Sequence, residues 1–301
     1  MQWAREMVDN IQAVVPSEHL LPRWMREELA SQPAALSEAG DVLTQRRVSL
    51  SIGNINIRRN SQGNIVIENS LHRFYHGHNG GKFTRSDVAA AIEKLSDTIG
   101  FDVSLCEVPR EEHGVNIVPT APNGVQAALQ ALQAYKDKRF TKWERGTAVT
   151  GAKRLLTELE LRCYDKSIEL KRQHVTLASP TLRWEIASKR LVYVRRLGAV
   201  TVADLASPAF FAAAGAELLA RLEACSFTEQ LDYSLLTGDE LEALALVQNA
   251  ELFSAYKADR TNKNKLARRR ALAEQAKQKA AATNVKMELI QLIREAISEL
   301  A

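Results

Sequence analysis

The chain has 301 residues, 46% apolar and 25% charged, with only 14 Gly and 8 Pro. That is a globular composition and excludes a disordered, fibrous or collagen-like protein. The formal net charge of +4 is too mild to demand an anionic partner, and three widely spaced Cys (106, 163 and 225) argue against a disulfide framework and make a reducing cytosol the expected setting.

No apolar run approaches the roughly 20 residues of a membrane span. "MQWAREMVDNIQ" carries early acidic residues and no apolar core, so it does not read as a signal peptide. Residues 1–45 read as short helical pieces broken at Pro16, Pro22 and Pro33. "VSLSIGNINIRR" and "NIVIENS" alternate apolar and polar around the turn signal "NSQGN", which predicts a hairpin. "LHRFYHGHNGGKF" is an irregular, Gly-rich connection. "TRSDVAAAIEKLSDTIG" predicts a helix, with Thr84 or Ser86 as N-cap and Gly100 as its end. "FDVSLCEVPREEHGVNIVP" is strand-like and "NGVQAALQALQAY" helical. "RLLTELELRCYDK" alternates over a long run, and "TLRWEIASKRLVYVRRL" supplies further strands. From about Thr201 three helical stretches follow. The expected architecture is α+β: an antiparallel sheet core with packed helices over 46–200, a helical segment over 1–45, and a basic, helical C-terminal region over 201–301.

Side chains on a strand alternate faces. Leu159, Leu161 and Cys163 therefore share a core face with Leu155, and Glu160, Arg162, Tyr164 and Lys166 share the polar one. The same count places Arg183 and Glu185 opposite Leu182, Trp184 and Ile186. It places Glu112, Gly114 and Asn116 opposite His113, Val115 and Ile117, which gives His113 a core role. If these strands share one sheet, a tyrosine, cations and two carboxylates meet on its polar face. A solvated face of an antiparallel sheet requires polar residues in any case.

Four stretches, over about residues 47 to 205, resemble the gene II/X replication proteins, rolling-circle initiators of filamentous phages and related plasmids: "NSLHRFYHGHNGGKFTRSDV", "VPREEHGVNI", "LELRCYDKSIEL" and "TLRWEIASKRLVYVRRLGAVTVADL". The resemblance implies a replication-initiator-like fold and nicking of one strand of a double-stranded origin. It places the nicking tyrosine on Tyr164 and its lysine on Lys166. It places the carboxylates that would hold Mg²⁺ or Mn²⁺ on Glu112 and Glu185, and a Gly-His-Asn motif on Gly77, His78 and Asn79, with His78 a further candidate ligand. Glu stands at 112 where the family carries Asp, and the chain opens with "MQWAREMVDNIQ" where the family usually opens with a short apolar strand. His78 and Asn79 could equally hydrogen-bond their own turn.

Arg110, Arg162 and Arg183 are the expected DNA contacts near the site. Lys265, Arg268, Arg269 and Arg270 lie in the basic stretch "YKADRTNKNKLARRRALAEQAKQK", which could bind phosphates or be a solvated helix surface. The implied partners are double- and single-stranded origin DNA with a host helicase and polymerase, since no GxxxxGK[ST] motif occurs. The implied location is the cytoplasm of a bacterial host. The alternatives are a non-catalytic origin-binding or replication-control protein and a degenerate prophage relative.

Overall fold

A computed structural model describes residues 7–31, 49–60, 62–121, 123–228, 235–258, 263–280 and 285–300. The expected helical pieces between 32 and 45 lie outside these residues. In chain order the strands are β1 (Val8–Val14), β2 (Ser49–Ile52), β3 (Ile55–Arg59), β4 (Ile65–Ser70), β5 (Glu107–Ile117), β6 (Leu132–Tyr135), β7 (Lys138–Arg139), β8 (Thr141–Arg145), β9 (Ala148–Leu155), β10 (Leu159–Asp165), β11 (Leu182–Ser188) and β12 (Cys225–Phe227). The helices are α1 (Arg23–Ser31), α2 (Leu71–His76), α3 (Arg85–Ile99), α4 (Gly124–Ala131), α5 (Lys166–Arg172), α6 (Leu191–Arg196), α7 (Pro208–Glu223), α8 (Gly238–Gln248), α9 (Ala250–Ala258), α10 (Lys263–Ala280) and α11 (Val285–Leu300). Among the described residues no helix is long and apolar enough to cross a membrane.

The fold is α+β. Among the described residues nine strands form one antiparallel sheet in the order β2-β3-β4-β1-β5-β11-β10-β9-β8, and β12-β6-β7 form a small second one. One face of the large sheet buries Val115, Leu161, Cys163, Trp184 and Ile186. Trp184 Nε1 donates to the Leu218 carbonyl at 3.0 Å, which fixes α7 to that face. His113 is buried there as expected. Its ring lies parallel to Tyr193 with centroids 6.5 Å apart, and its Nδ1 is 3.0 Å from the Glu111 carboxylate.

Helix α3 begins and ends where its sequence signals lie. Thr84 and Asp87 form a reciprocal capping box, and Gly100 closes the helix at φ 75°. Several segments differ from the sequence reading. Leu71–His76 and Leu191–Arg196 are helices where a connection and a strand are expected, and the helix expected through Tyr135 ends at Ala131, with Leu132–Tyr135 a strand. Val8–Val14 is a strand and not a helical piece, and it sits in mid-sheet between β4 and β5. "RLLTELELRCYDK" is two strands, because Leu156 N–H donates to the Leu159 carbonyl at 2.9 Å in a tight turn without Gly or Pro. "VSLSIGNINIRR" is likewise folded back on itself at Gly53, whose φ of 61° suits glycine.

The chain divides into two compact units. One is Met1–Ser226 with Leu289–Ala301, and the other is Phe227–Glu288. The sequence predicts a boundary near 200, where the pattern turns helical. Helix α7 instead belongs with the sheet, burying Phe210, Phe211 and Leu218.

Candidate active site

The polar face of the sheet is ordered in cross-strand rows, because residues directly opposite in an antiparallel pair project to the same side. One row reads Trp143, Gly151, Tyr164, Arg183, Asn116. The next reads Lys153, Arg162, Glu185, Gly114. Glu160, Ala187 and Glu112 make a third. Strand β11 lies between β5 and β10, so Glu185 stands between the strands that carry Glu112 and Tyr164. A cleft of about 600 Å³ opens on this face, lined by Tyr164, Arg162, Glu185, Glu112, Asp9 and Trp143 among others.

Two glycines make the close approaches possible. A Cβ at Gly114 would lie 2.6 Å from the Trp184 carbonyl oxygen and 3.1 Å from Glu185 Cβ. At Gly151 it would lie 2.2 Å from the Trp143 ring and 2.9 Å from Tyr164 Cβ.

Tyr164 is partly buried, and its hydroxyl donates to Glu185 Oε2 at 3.2 Å. The same oxygen accepts from Arg183 Nε at 2.5 Å. Arg162 Nη1 donates to Glu185 Oε1 at 3.0 Å and to Glu112 Oε1 at 2.9 Å, and its Nε reaches Glu160 at 2.9 Å. Asn10 Nδ2 donates to the other Glu112 oxygen at 2.5 Å. Arg183 is fully buried and also donates to Asn116 Oδ1 at 3.2 Å.

These partners separate the two carboxyls. Burial pushes Glu185 up, but the guanidiniums of Arg183 and Arg162 outweigh it and hold Glu185 ionised. Burial and the Glu185 charge push Glu112 up to about 7, against the pull of Arg162. Burial and Glu185 hold the Tyr164 phenol well above its ordinary value, with Arg183 opposing. Tyr164 is therefore a neutral donor at neutral pH and not a standing phenolate.

The Glu112 shift carries a sign for stability. Between the ordinary carboxyl value of 4.5 and about 7, the folded state binds this proton and the unfolded state does not. Stability from this group is thus full below pH 4.5 and falls as pH rises towards 7. Glu112→Gln should flatten that fall. Thermal melts of both proteins from pH 5 to 8 should show the variant gaining on the wild type as pH rises; parallel curves would contradict the assignment.

Asp9 is a site residue that the sequence reading missed. Val8 pairs with His113 and Ile11 with Glu111, so Asp9 and Asn10 together oppose Glu112. This β-bulge turns both side chains towards the cleft. Asp9 accepts from Ser70 Oγ and from Asn79 Nδ2 (3.0 Å), and lies 3.6 Å from Arg183 Nη2. The bulge also hid the strand. It turns alternation into an i, i+3 spacing of Val8 and Ile11 that reads as helix.

Lys166 is not on the strand. Asp165 accepts from the N–H groups of Ser167 (2.9 Å) and Ile168 (3.3 Å), and so ends β10 by capping α5. The Lys166 ammonium is buried, pairs with Glu169 at 3.0 Å and lies 6.0 Å from the Tyr164 ring centroid. His78 does not line the cleft; its Nδ1 accepts from Gly80 N–H at 3.2 Å within its own turn. Its neighbour Asn79 does line it. Arg110 is exposed on an adjoining groove of about 430 Å³.

The donor set as placed does not fit the expected divalent ion. All four oxygens of Glu112 and Glu185 accept from guanidinium, amide or phenol donors. Among the described residues no group of three or more His, Cys, Asp or Glu side chains has the arrangement of a metal centre.

In the other unit, Arg269 pairs with Glu242 at 3.3 Å, and the Arg270 guanidinium lies 4.9 Å from the Phe253 ring centroid. Lys265 and Arg268 are exposed on α10. Much of the basic stretch thus knits helices together, and part of it faces outward.

No protein-family model and no curated protein matches the chain. One solved structure that it resembles is that of the rolling-circle replication initiator protein from Geobacillus stearothermophilus. The identity is 12%, the coverage 96% of each chain and the TM-score 0.37. A likeness of that size leaves the site to stand on its own geometry.

Proposed function

We propose that the protein initiates DNA replication by cutting and rejoining one strand through Tyr164. The observation that carries the reading is the Tyr164 hydroxyl held 3.2 Å from an ionised, buried carboxylate, Glu185, in an open cleft walled by Arg162. Tyr164 Oη attacks a backbone phosphorus and its proton passes to Glu185 as the new O–P bond forms. The P–O3′ bond breaks, and the leaving oxygen takes a proton from Glu112, the carboxyl of the pair that retains one near neutral pH. Pairs whose environments push their pKa values apart are suited to this division of labour. Arg162 turns a guanidinium N–H from carboxylate to phosphoryl oxygen and stabilises the charge that develops there. The products are a 5′-phosphotyrosine and a free 3′-OH for a polymerase. The phosphotyrosine keeps the bond energy, so the strand can be rejoined. Arg110, Lys265 and Arg268 supply sequence-independent phosphate contacts, and a host helicase opens the duplex.

One observation favours a non-catalytic origin-binding protein instead: a Tyr held neutral beside a carboxylate of lowered basicity is slow to deprotonate. Incubating the wild type with supercoiled plasmid and single-stranded oligonucleotides in Mg²⁺ buffer separates the two. The proposal expects relaxed plasmid and a protein–DNA adduct that survives denaturant. Retention of DNA without any adduct would establish the binding reading.

A further inference from the structure

We infer that Trp143 is a stacking platform for a nucleobase beside the nucleophile. The inference rests on the DNA reading of the same cleft. Trp143 is half-buried on β8, the edge strand of the sheet, and lines the cleft together with Tyr164. The two rings are 6.2 Å apart between centroids and tilted by 47°. Gly151, the residue between them in the row, leaves the space the indole occupies; any side chain there would strike the ring. A one-residue bulge at Thr150 shifts the β8–β9 register next to Trp143 and bends the strand at this point.

An indole used only for packing belongs on the apolar face, where Trp184 is buried against α7. Trp143 is on the other face, in a cleft whose remaining lining includes Thr150, Lys153, Glu169 and Arg172. Such a mixture of one accessible aromatic face and cations is how single strands are held without sequence preference: phosphates meet the cations and bases meet the ring. A base seated on Trp143 would fix the strand at the point where its phosphodiester passes Tyr164.

The test uses the full chain carrying Tyr164→Phe, so that binding is read without covalent capture. Its ligand is a fluorescein-labelled 12-nucleotide single strand, followed by anisotropy. Trp143→Phe keeps a π face and should bind within about threefold of the parent. Trp143→Leu keeps apolar volume without one and should bind about tenfold more weakly, the loss of one base–aromatic stack. Both variants should melt with the parent, and the parent's tryptophan emission should be quenched by the strand where that of Trp143→Phe is not. Equal affinity of the Leu and Phe variants would overturn the inference and leave the nicking reading intact. Failure of the parent to bind any strand would overturn both. Adduct formation by the wild type, measured separately, tests the nicking reading alone.

Discussion

Tyr164→Phe should abolish covalent protein–DNA adducts and plasmid relaxation while DNA retention persists. The substitution deletes one oxygen, and that oxygen is the proposed nucleophile; the rest of its cross-strand row carries no hydroxyl. Trp143, Gly151, Arg183 and Asn116 fill the rest of its row. The structural cost is modest, since the phenol gives Glu185 one hydrogen bond at 3.2 Å while Arg162 and Arg183 keep theirs, and losing one bond to a charged group costs about 1.5–3 kcal/mol. A folded, DNA-retaining variant without adduct therefore separates chemistry from binding. Adducts at the wild-type level would remove Tyr164 from the reaction.

Arg183→Met should be the most destabilising single change at the site. Arg183 is fully buried, at hydrogen-bond distance from Glu185 and Asn116 and 3.6 Å from Asp9. The sequence reading offered it as a DNA contact, but its burial makes it a structural cation beneath the cleft floor. Its removal leaves two buried carboxylates facing each other with less compensation, a class of change that costs about 3–5 kcal/mol. In a protein of this size the melting temperature should drop by roughly 10 °C. The double variant Arg183→Met with Glu185→Met should recover part of that loss, because the stranded carboxylate leaves as well. It should still form no adduct, having lost the proton acceptor. A melt unchanged by Arg183→Met would contradict the ion-pair account.

Alternation along each strand was enough to put Tyr164 and Arg162, Arg183 and Glu185, and Glu112 on the polar side of their own strands, since a period of two needs no knowledge of neighbours. It could not give strand order, so the insertion of β11 between Glu112 and Tyr164 was invisible. The N-cap region and terminal glycine of α3 were legible because those signals are local, though the choice of Thr84 over Ser86 and its pairing with Asp87 came only with the structure. Asp9 and Asn10 were not, because the bulge that delivers them breaks the very period used to find strands. Lys166 was misplaced by one residue's worth of chain: Asp165 beside it is both the last strand residue and a helix cap. Trp143 carries no local signal, for its meaning comes from Gly151 on the next strand and Tyr164 on the one after.

Mapping the adduct tests the central claim most directly. The wild type, coupled to a labelled oligonucleotide, is trimmed with nuclease, digested with protease and sequenced by mass spectrometry. The account predicts a nucleotide phosphate on the peptide that carries Tyr164, attached through its phenolic oxygen. A nucleotide on any other residue, or none on a wild type that retains DNA, would contradict it.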